Sequence, residues 1–196
     1  MKGGLAIAVL AAGKADRFGG GKLDADLAGQ RLGSYAVEAA AALGVPKIVS
    51  GLPVPQFAGD AMALGLAQVL KNRRADEGMG TSVALAAMQA SVAGAEALLL
   101  LAADMPMVTT ETLRKLAEAV APDCPAASAY PDGSAGIPAC FPASWFAALA
   151  RLEGDKGAGQ LLREAETVRL VEVPPEELAD IDTPADFAVL KARHVL

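Results

Sequence analysis

Two cationic side chains in a glycine-rich segment have the types and spacing that suit phosphate binding. Arg17 and Lys22 flank three consecutive glycines, and Gly13 precedes them. The segment follows directly on the apolar run at residues 5–10, which predicts a strand. Glycines let backbone N–H groups approach an anion closely, and the two cations add charge. The sequence therefore predicts a phosphate site at the carboxyl end of a strand, where open α/β folds bind ligands.

The two commonest phosphate-loop patterns do not describe this segment. A P-loop requires serine or threonine after its glycine and lysine, but Leu23 follows Lys22, and Asp16 stands where the first glycine is needed. A dinucleotide fingerprint requires a second glycine two residues after Gly13, where this chain has alanine. The phosphate site is thus of another kind.

Acidic side chains follow a buried strand and precede the last helix. Asp104 comes soon after the aliphatic run at residues 97–102, which is typical of a central parallel strand, and Pro106 ends the ladder. An aspartate at that position places a hard oxygen ligand near the bound phosphates, as Mg²⁺ requires. The alternative is that this aspartate simply caps a turn. Asp180 and Asp182 alternate on one face of an extended segment. The simpler interpretation of the second pair is that Asp182 or Thr183 caps the last helix.

With these motifs in this order, the chain resembles the nucleotidyltransferases of the molybdenum cofactor family. It also resembles the wider group of nucleotidyltransferases that act on sugar phosphates and polyol phosphates. The matching elements are L-A-A-G-x-x-x-R-[FM]-G-x-x-K at residues 10–22, D-M-P at 104–106 and D-I-D-T-P at 180–184. The resemblance covers nearly the whole chain. It implies a catalytic Mg²⁺ held by Asp104, with Asp182 as a second carboxylate ligand, which suits phosphoryl-type transfer.

A nucleotide site is also implied by the resemblance. A G-M-G-T-S element at residues 78–82 adds a helix N-terminus, which suits an anion or a base edge but could be only a glycine turn and cap. The expected nucleotide-binding residues are Leu10, Ala11, Ala12, Gly13, Arg17, Gly19, Lys22, Gly80, Thr81, Ser82 and Asp104. Arg17, Lys22 and Asp104 are expected to be catalytic, with the two cations stabilising charge on the departing pyrophosphate.

The acceptor site is less clearly marked. Gly136 and Pro138 match a G-x-P segment, and Asp155 and Lys156 lie in a loop similar to the family's G-D-x-G-A-R, so these four are the expected acceptor-binding residues. Gly159 stands where the family has arginine and cannot hold a substrate phosphate. Lys156 or Arg163 could take over that role.

Within the family, two features favour CTP over GTP. Ala12 stands where the guanylyltransferase branch has glycine, and D-I-D-T-P is typical of the cytidylyltransferase branch. The implied acceptor is molybdopterin or its molybdenum-loaded form, and a molybdoenzyme or its maturation factor is the expected recipient. One alternative is an enzyme of the same fold that acts on a sugar phosphate or another acceptor, which Gly159 keeps open. Another is a non-catalytic cofactor chaperone, although such a binder has no need of Arg17, Lys22 and both aspartates.

Composition excludes several classes of protein. The 196 residues are 53% hydrophobic and carry a formal net charge of −6 with one Trp, unlike the basic, aromatic surface of a nucleic-acid binder. Two cysteines, Cys124 and Cys140, are too few for a disulfide framework or zinc cluster. The longest apolar run, at residues 97–103, is far too short for a membrane span, and the start of the chain does not resemble a signal peptide. We expect a cytoplasmic monomer with no membrane or nucleic-acid partner.

Alternating strands and helices predict a single α/β domain over residues 1–196, with three α/β/α layers on a mostly parallel, Rossmann-like sheet. The resemblance implies that this is the nucleotidyltransferase fold. Strands are predicted at residues 5–10, 47–51, 66–70, 97–102, 126–130, 137–141 and 168–173. Helices are predicted at 34–43, 81–93, 110–120, 143–152, 158–165 and 184–193, with 56–65 ambiguous.

Overall fold

The computed structural model describes residues 4–13 and 18–194 of the chain. Strands and helices alternate along most of it, as expected. The strands are β1 (Leu5–Ala11), β2 (Asp26–Leu27), β3 (Gln30–Arg31), β4 (Lys47–Ser50), β5 (Gln68–Lys71), β6 (Ala97–Ala102), β7 (Ala126–Ala129), β8 (Ala135–Pro142) and β9 (Arg169–Glu172). The helices are α1 (Leu32–Ala41), α2 (Gln56–Ala63), α3 (Met79–Val92), α4 (Thr110–Ala119), α5 (Phe146–Leu149), α6 (Ala158–Glu164) and α7 (Pro184–His194).

Seven of the described strands form one sheet, in the order β5-β4-β1-β6-β8-β7-β9. The first four run parallel to one another, and β7 and β9 are parallel to each other. Strand β8 is inserted antiparallel between β6 and β7. The prediction of a mostly parallel sheet is confirmed, and the single reversal divides it into a four-stranded part and a three-stranded part.

Both faces of the sheet are covered by helices. Successive residues of β6 point to opposite layers: Leu99 and Leu101 join one core cluster, and Leu98 and Leu100 join the other. The first cluster takes side chains from α1, α2 and α4, and the second from α3, α5 and α6. Because β6 is buried on both sides, every position from 97 to 101 must be apolar, and each is. This arrangement confirms the three-layer α/β/α class.

Two local predictions differ from the structure. The helix predicted at residues 143–152 is a 3₁₀ turn at Ala143–Trp145 followed by the single turn of α5. Its start is held by its neighbours, because the Ala143 N–H donates to Glu96 O and the Ser144 hydroxyl to Pro122 O. The hairpin formed by β2 and β3 was not predicted, since each strand has only two residues and shows no periodicity.

The sheet topology brings several loops to one edge. The carboxyl ends of β1, β4 and β6 are neighbours, because β1 pairs with β4 on one side and β6 on the other, all parallel. Residues 12–13, 51–55 and 103–106 therefore emerge side by side. The backbone N–H of Ile181 donates to Asp104 O at 3.0 Å, which ties the segment before α7 to the same edge. Among the described helices, none is both long and apolar enough to cross a membrane.

Candidate active site

A cleft with two connected lobes lies at this edge of the sheet. The small lobe has a volume of about 290 Å³ and the large lobe about 620 Å³. Both lobes are lined by the end of β1 and by two charged side chains, Lys22 and Asp104. The small lobe extends under residues 51–55, and the large lobe extends towards Ile137 and Asp155. A ligand in either lobe would therefore reach the same pair of charges.

Lys22 lies between two carboxylates at the junction of the lobes. Its Nζ is 2.7 Å from Asp104 Oδ2 and 3.5 Å from Asp182 Oδ1, and the residue is 7% exposed. Gly21 precedes it in the left-handed region at φ 64°, which favours glycine and turns the chain into the 3₁₀ turn at Lys22–Asp24. The side chains that the sequence singled out at positions 22, 104 and 182 thus meet in space.

Asp182 reaches the cleft because α7 begins immediately after it. The Thr183 hydroxyl accepts from the Asp186 N–H at 3.2 Å, and the Asp186 carboxylate accepts from the Thr183 N–H at 2.8 Å. This reciprocal capping fixes the first turn of the helix. Thr183 is therefore the cap, and the Asp182 carboxylate faces Lys22, so the capping and ligand interpretations apply to different residues of the same motif.

Negative charge accumulates beside this pair. The pKa of the Asp180 carboxyl is raised to about 6, first because neighbouring groups remove part of its hydration, then because Asp104 and Asp182 repel its charge, while Lys22 opposes the shift. The pKa of Tyr130 is raised to about 12 by burial and by the nearby Asp180 and Asp104. The Tyr130 hydroxyl donates to Ile137 O at 2.8 Å. This end of the cleft therefore favours cations.

The donor set suits a divalent cation that arrives with a phosphate. Asp104 and Asp182 offer hard oxygen atoms, but no group of three or more acidic, His or Cys side chains in the described part of the chain could hold a metal. Mg²⁺ is commonly bound through one or two carboxylates, with water and substrate phosphate completing its shell. The residues present fit that mode and not an all-protein cage.

The helix N-terminus at residues 78–82 is largely occupied by protein contacts. The Gly80 N–H donates to Gly154 O at 2.8 Å, and the hydroxyls of Thr81 and Ser82 accept from the Asn72 amide at 2.8 and 2.9 Å. Ser82 also lines the large lobe, whereas neither Gly80 nor Thr81 lines either lobe. This element forms a wall of the cleft that Asn72, a residue the sequence analysis did not identify, holds in place.

Of the expected acceptor residues, Asp155 lines the large lobe and Lys156 is exposed away from both lobes. Ile137 also lines the large lobe, between Gly136 and Pro138, which do not. A Cβ at Gly136 would lie 2.5 Å from the ring of Tyr130, so this glycine permits the ring to pack against the strand.

The expected nucleotide-binding residues at the end of β1 line the cleft. Leu10, Ala12 and Gly13 line both lobes, and Ala11 lines the small lobe. Gly19 is exposed at φ 84° and lines neither. Arg17 lies outside the described residues.

Two segments of the small lobe were not expected from the sequence. Residues 51–55 follow β4, and Ala75 and Asp76 follow β5. The strand-edge rule that pointed to Asp104 applies to them equally, since β4 and β5 continue the same parallel array.

Comparisons with known proteins identify the family of this chain. The family described as "MobA-like NTP transferase domain" matches residues 7–170. The chain is 28% identical to the purine catabolism protein PucB of Bacillus subtilis (strain 168) over 195 residues, covering 93% of each protein.

Solved structures share the whole fold. A nucleotidyl transferase from Methanothermobacter thermautotrophicus, Mth528, superposes with a TM-score of 0.82 at 20% identity, covering 100% of this chain and 99% of that one. Rv0371c from Mycobacterium tuberculosis H37Rv superposes with a TM-score of 0.80 at 26% identity, covering 98% of this chain and 100% of that one. Rv0371c has also been solved in complex with manganese. That structure superposes with a TM-score of 0.77 at 25% identity, covering 96% of this chain and 98% of that one. By its fold, its cleft and the match over residues 7–170, the chain belongs to the MobA-like NTP transferase family and is a nucleotidyltransferase.

Proposed function

We propose that this protein transfers CMP from CTP to the terminal phosphate of molybdopterin, or of its molybdenum-loaded form, and releases pyrophosphate. The observation that carries the proposal is the Lys22 ammonium held between Asp104 and Asp182 at the point where the two lobes join. Two lobes that share one charged junction suit two substrates whose reacting phosphates must meet.

The nucleoside is assigned to the small lobe and the acceptor to the large one. The small lobe is lined by small or apolar residues at 10–13 and 51–55, and a pyrimidine needs less room there than a purine. Ala12 lies in its wall, which supports CTP, as does the D-I-D-T-P motif at residues 180–184. The large lobe, with about twice the volume, suits a pterin-sized acceptor.

In the proposed reaction, an oxygen of the acceptor phosphate attacks the α-phosphorus, and the bond from that phosphorus to the pyrophosphate oxygen breaks. The acceptor is already an ionised phosphate, so no protein base is required. Lys22 and Arg17 are proposed to stabilise the charge that develops on the pyrophosphate. Asp104 and Asp182 would hold Mg²⁺, which would supply charge neutralisation at the α-phosphate.

The proposed acceptor site includes the first turn of α6. Gly159 lacks the cationic side chain that the family places there, but Arg163 Nη1 lies 3.4 Å from the position that a Gly159 Cβ would have. The Arg163 guanidinium, one helical turn further along α6, therefore lies against Gly159, and it is the proposed substitute for the family's arginine towards a phosphorylated acceptor. A molybdoenzyme or its maturation factor is the proposed recipient of the product.

The direct test is pyrophosphate release in the presence of Mg²⁺ and molybdopterin, with CTP, GTP, ATP and UTP offered in turn. We expect release with CTP, and a loss of at least about a hundredfold in Asp104→Ala, because a carboxylate aimed at the reacting phosphates is removed. Asp123→Ala, which removes an exposed acid from a surface loop, is the matched control and keeps full activity.

Other outcomes would redirect the proposal. Preference for GTP would show that Ala12 and residues 180–184 do not select the base. Binding of CTP without pyrophosphate release would point to an acceptor other than molybdopterin or to a non-catalytic carrier.

A further inference from the structure

Lys22 lies between the two carboxylates that would hold a metal ion. Its Nζ lies 2.7 Å from Asp104 Oδ2 and 3.5 Å from Asp182 Oδ1, and the lysine side chain is 9% exposed. Asp104 and Asp182 are the residues that would hold Mg²⁺, so the bound ion would lie close to this ammonium. An ammonium and a divalent cation cannot share this position, because their repulsion would act over a few ångströms in a partly dehydrated site.

The same lysine has a second anionic destination. Lys22 lines both lobes, so its ammonium can turn towards a polyphosphate placed at the junction while its backbone stays in the 3₁₀ turn. A lysine side chain suits such a movement, because it is a compact charge on a flexible four-carbon stem with three donors that need no fixed plane. Asp104 and Asp182 would then be left to another cation.

We propose that Lys22 is an internal counter-ion of the free enzyme, which neutralises Asp104 and Asp182 until a nucleoside triphosphate draws it away and a divalent cation replaces it. The inference rests on the proposed function, because the nucleotide is the anion that attracts the lysine. The exchange makes binding of metal and nucleotide cooperative. The free enzyme then has little affinity for the metal.

The charges around the site support an exchange rather than a simple departure of the lysine. Asp104, Asp182 and the nearby Asp180 place three carboxylates at one end of the cleft, two of them in contact with the Lys22 ammonium. Withdrawal of Lys22 without a replacement would remove this counter-ion from both Asp104 and Asp182. A divalent cation that brings its own water and phosphate ligands compensates for the loss.

The test is a titration of the metal alone, with Mn²⁺ followed by electron paramagnetic resonance in the absence of any nucleotide. Lys22→Met keeps the apolar stem and removes the positive charge, so Asp104 and Asp182 lose this counter-ion. We therefore expect Mn²⁺ to bind about tenfold more tightly than to the unmodified protein. Lys115→Met, on the exposed face of α4, makes the same change in net charge and should bind Mn²⁺ as the unmodified protein does.

Two further variants make the result decisive. Adding Asp104→Asn to Lys22→Met should abolish the gain, because one of the two ligands is lost. Lys22→Gln, whose neutral head remains polar, should reproduce the gain if Lys22→Met folds poorly. Binding by the Lys22 variants no tighter than by the unmodified protein would overturn the inference, as would tight binding that survives Asp104→Asn.

The cooperativity is measured by repeating the titration with a non-hydrolysable CTP analogue. We expect the analogue to tighten Mn²⁺ binding by a larger factor in the unmodified protein than in Lys22→Met, because only the former must release its lysine. Equal factors would overturn the inference. The titration without nucleotide involves neither substrate, so a failure of the CTP and molybdopterin assay would leave its result unaffected.

Discussion

At the scale of single residues, burial separates side chains that can react from those that only fill space. Cys140 is fully buried in β8, and burial raises its pKa to about 12, whereas Cys124 is partly exposed before β7. The Cys124 thiol donates to the adjacent Pro125 O, at 3.6 Å. The two cysteines therefore differ in chemistry, because one thiol is buried and the other is partly exposed.

This difference predicts selective alkylation. At pH 8 only about one Cys140 thiol in 10⁴ is ionised, because the pH is four units below its pKa, and only the thiolate reacts. We expect iodoacetamide at pH 8 to label Cys124 and to leave Cys140 unlabelled until denaturant is added, as read by mass spectrometry. Equal labelling of both in the folded protein would contradict the burial of β8.

At the scale of elements, the cleft depends on how α3 meets the loop before α6. Asn72, at the end of β5, is 5% exposed, accepts from the Arg74 N–H and donates to both Thr81 and Ser82. It thereby anchors the segment at residues 72–82, which contributes lining residues to the small lobe and to the large lobe. On the other side, the Gly80 N–H bonds to Gly154 O, so the wall is fixed at both edges.

The close approach of these two segments predicts that Gly78→Ala is damaging. A Cβ at Gly78 would lie 2.2 Å from the carbonyl carbon of Gly154, and the φ of 120° already disfavours a side chain. We expect the free energy of unfolding to fall by roughly 2 kcal/mol or more, since backbone must shift, and the KM for both substrates to rise. Urea denaturation and steady-state kinetics measure the two effects.

Gly59→Ala in α2 is the matched control for this substitution. Its Cβ would meet no atom within 4 Å, and alanine favours a helix interior by up to about 1 kcal/mol. This variant should be at least as stable as the unmodified protein, with unchanged KM values. A Gly78→Ala protein as stable and active as Gly59→Ala would show that the wall of the cleft is not rigid.

At the scale of the whole molecule, the sequence predicted what depends on local pattern and missed what depends on distant contacts. The aliphatic run of β6 marks a buried strand, so Asp104 could be placed at the sheet edge in advance. The resemblance implied that Asp182 binds the same Mg²⁺ as Asp104. The hydrogen bond from the Ile181 N–H to Asp104 O explains how the chain brings Asp182 to the sheet edge. Asn72 could not be identified, because its role arises only when the chain after β5 comes within hydrogen-bond distance of the first turn of α3. A single domain over residues 1–196 stays a prediction.

The position of the cleft within the whole sheet predicts how substrates affect stability. Both lobes open where the parallel strands end, so a bound nucleotide and metal would contact several of the loops that follow these strands and the segment before α7. Ligands that bind only the folded state stabilise it, by about 2.7 kcal/mol at a ligand concentration one hundred times Kd.

If Lys22 must leave before the metal enters, Mn²⁺ alone should hardly change Tm. CTP and Mn²⁺ together should raise it by more than the sum of their separate effects, measured by thermal denaturation monitored by circular dichroism. Strictly additive shifts would mean that nucleotide and metal bind this molecule independently.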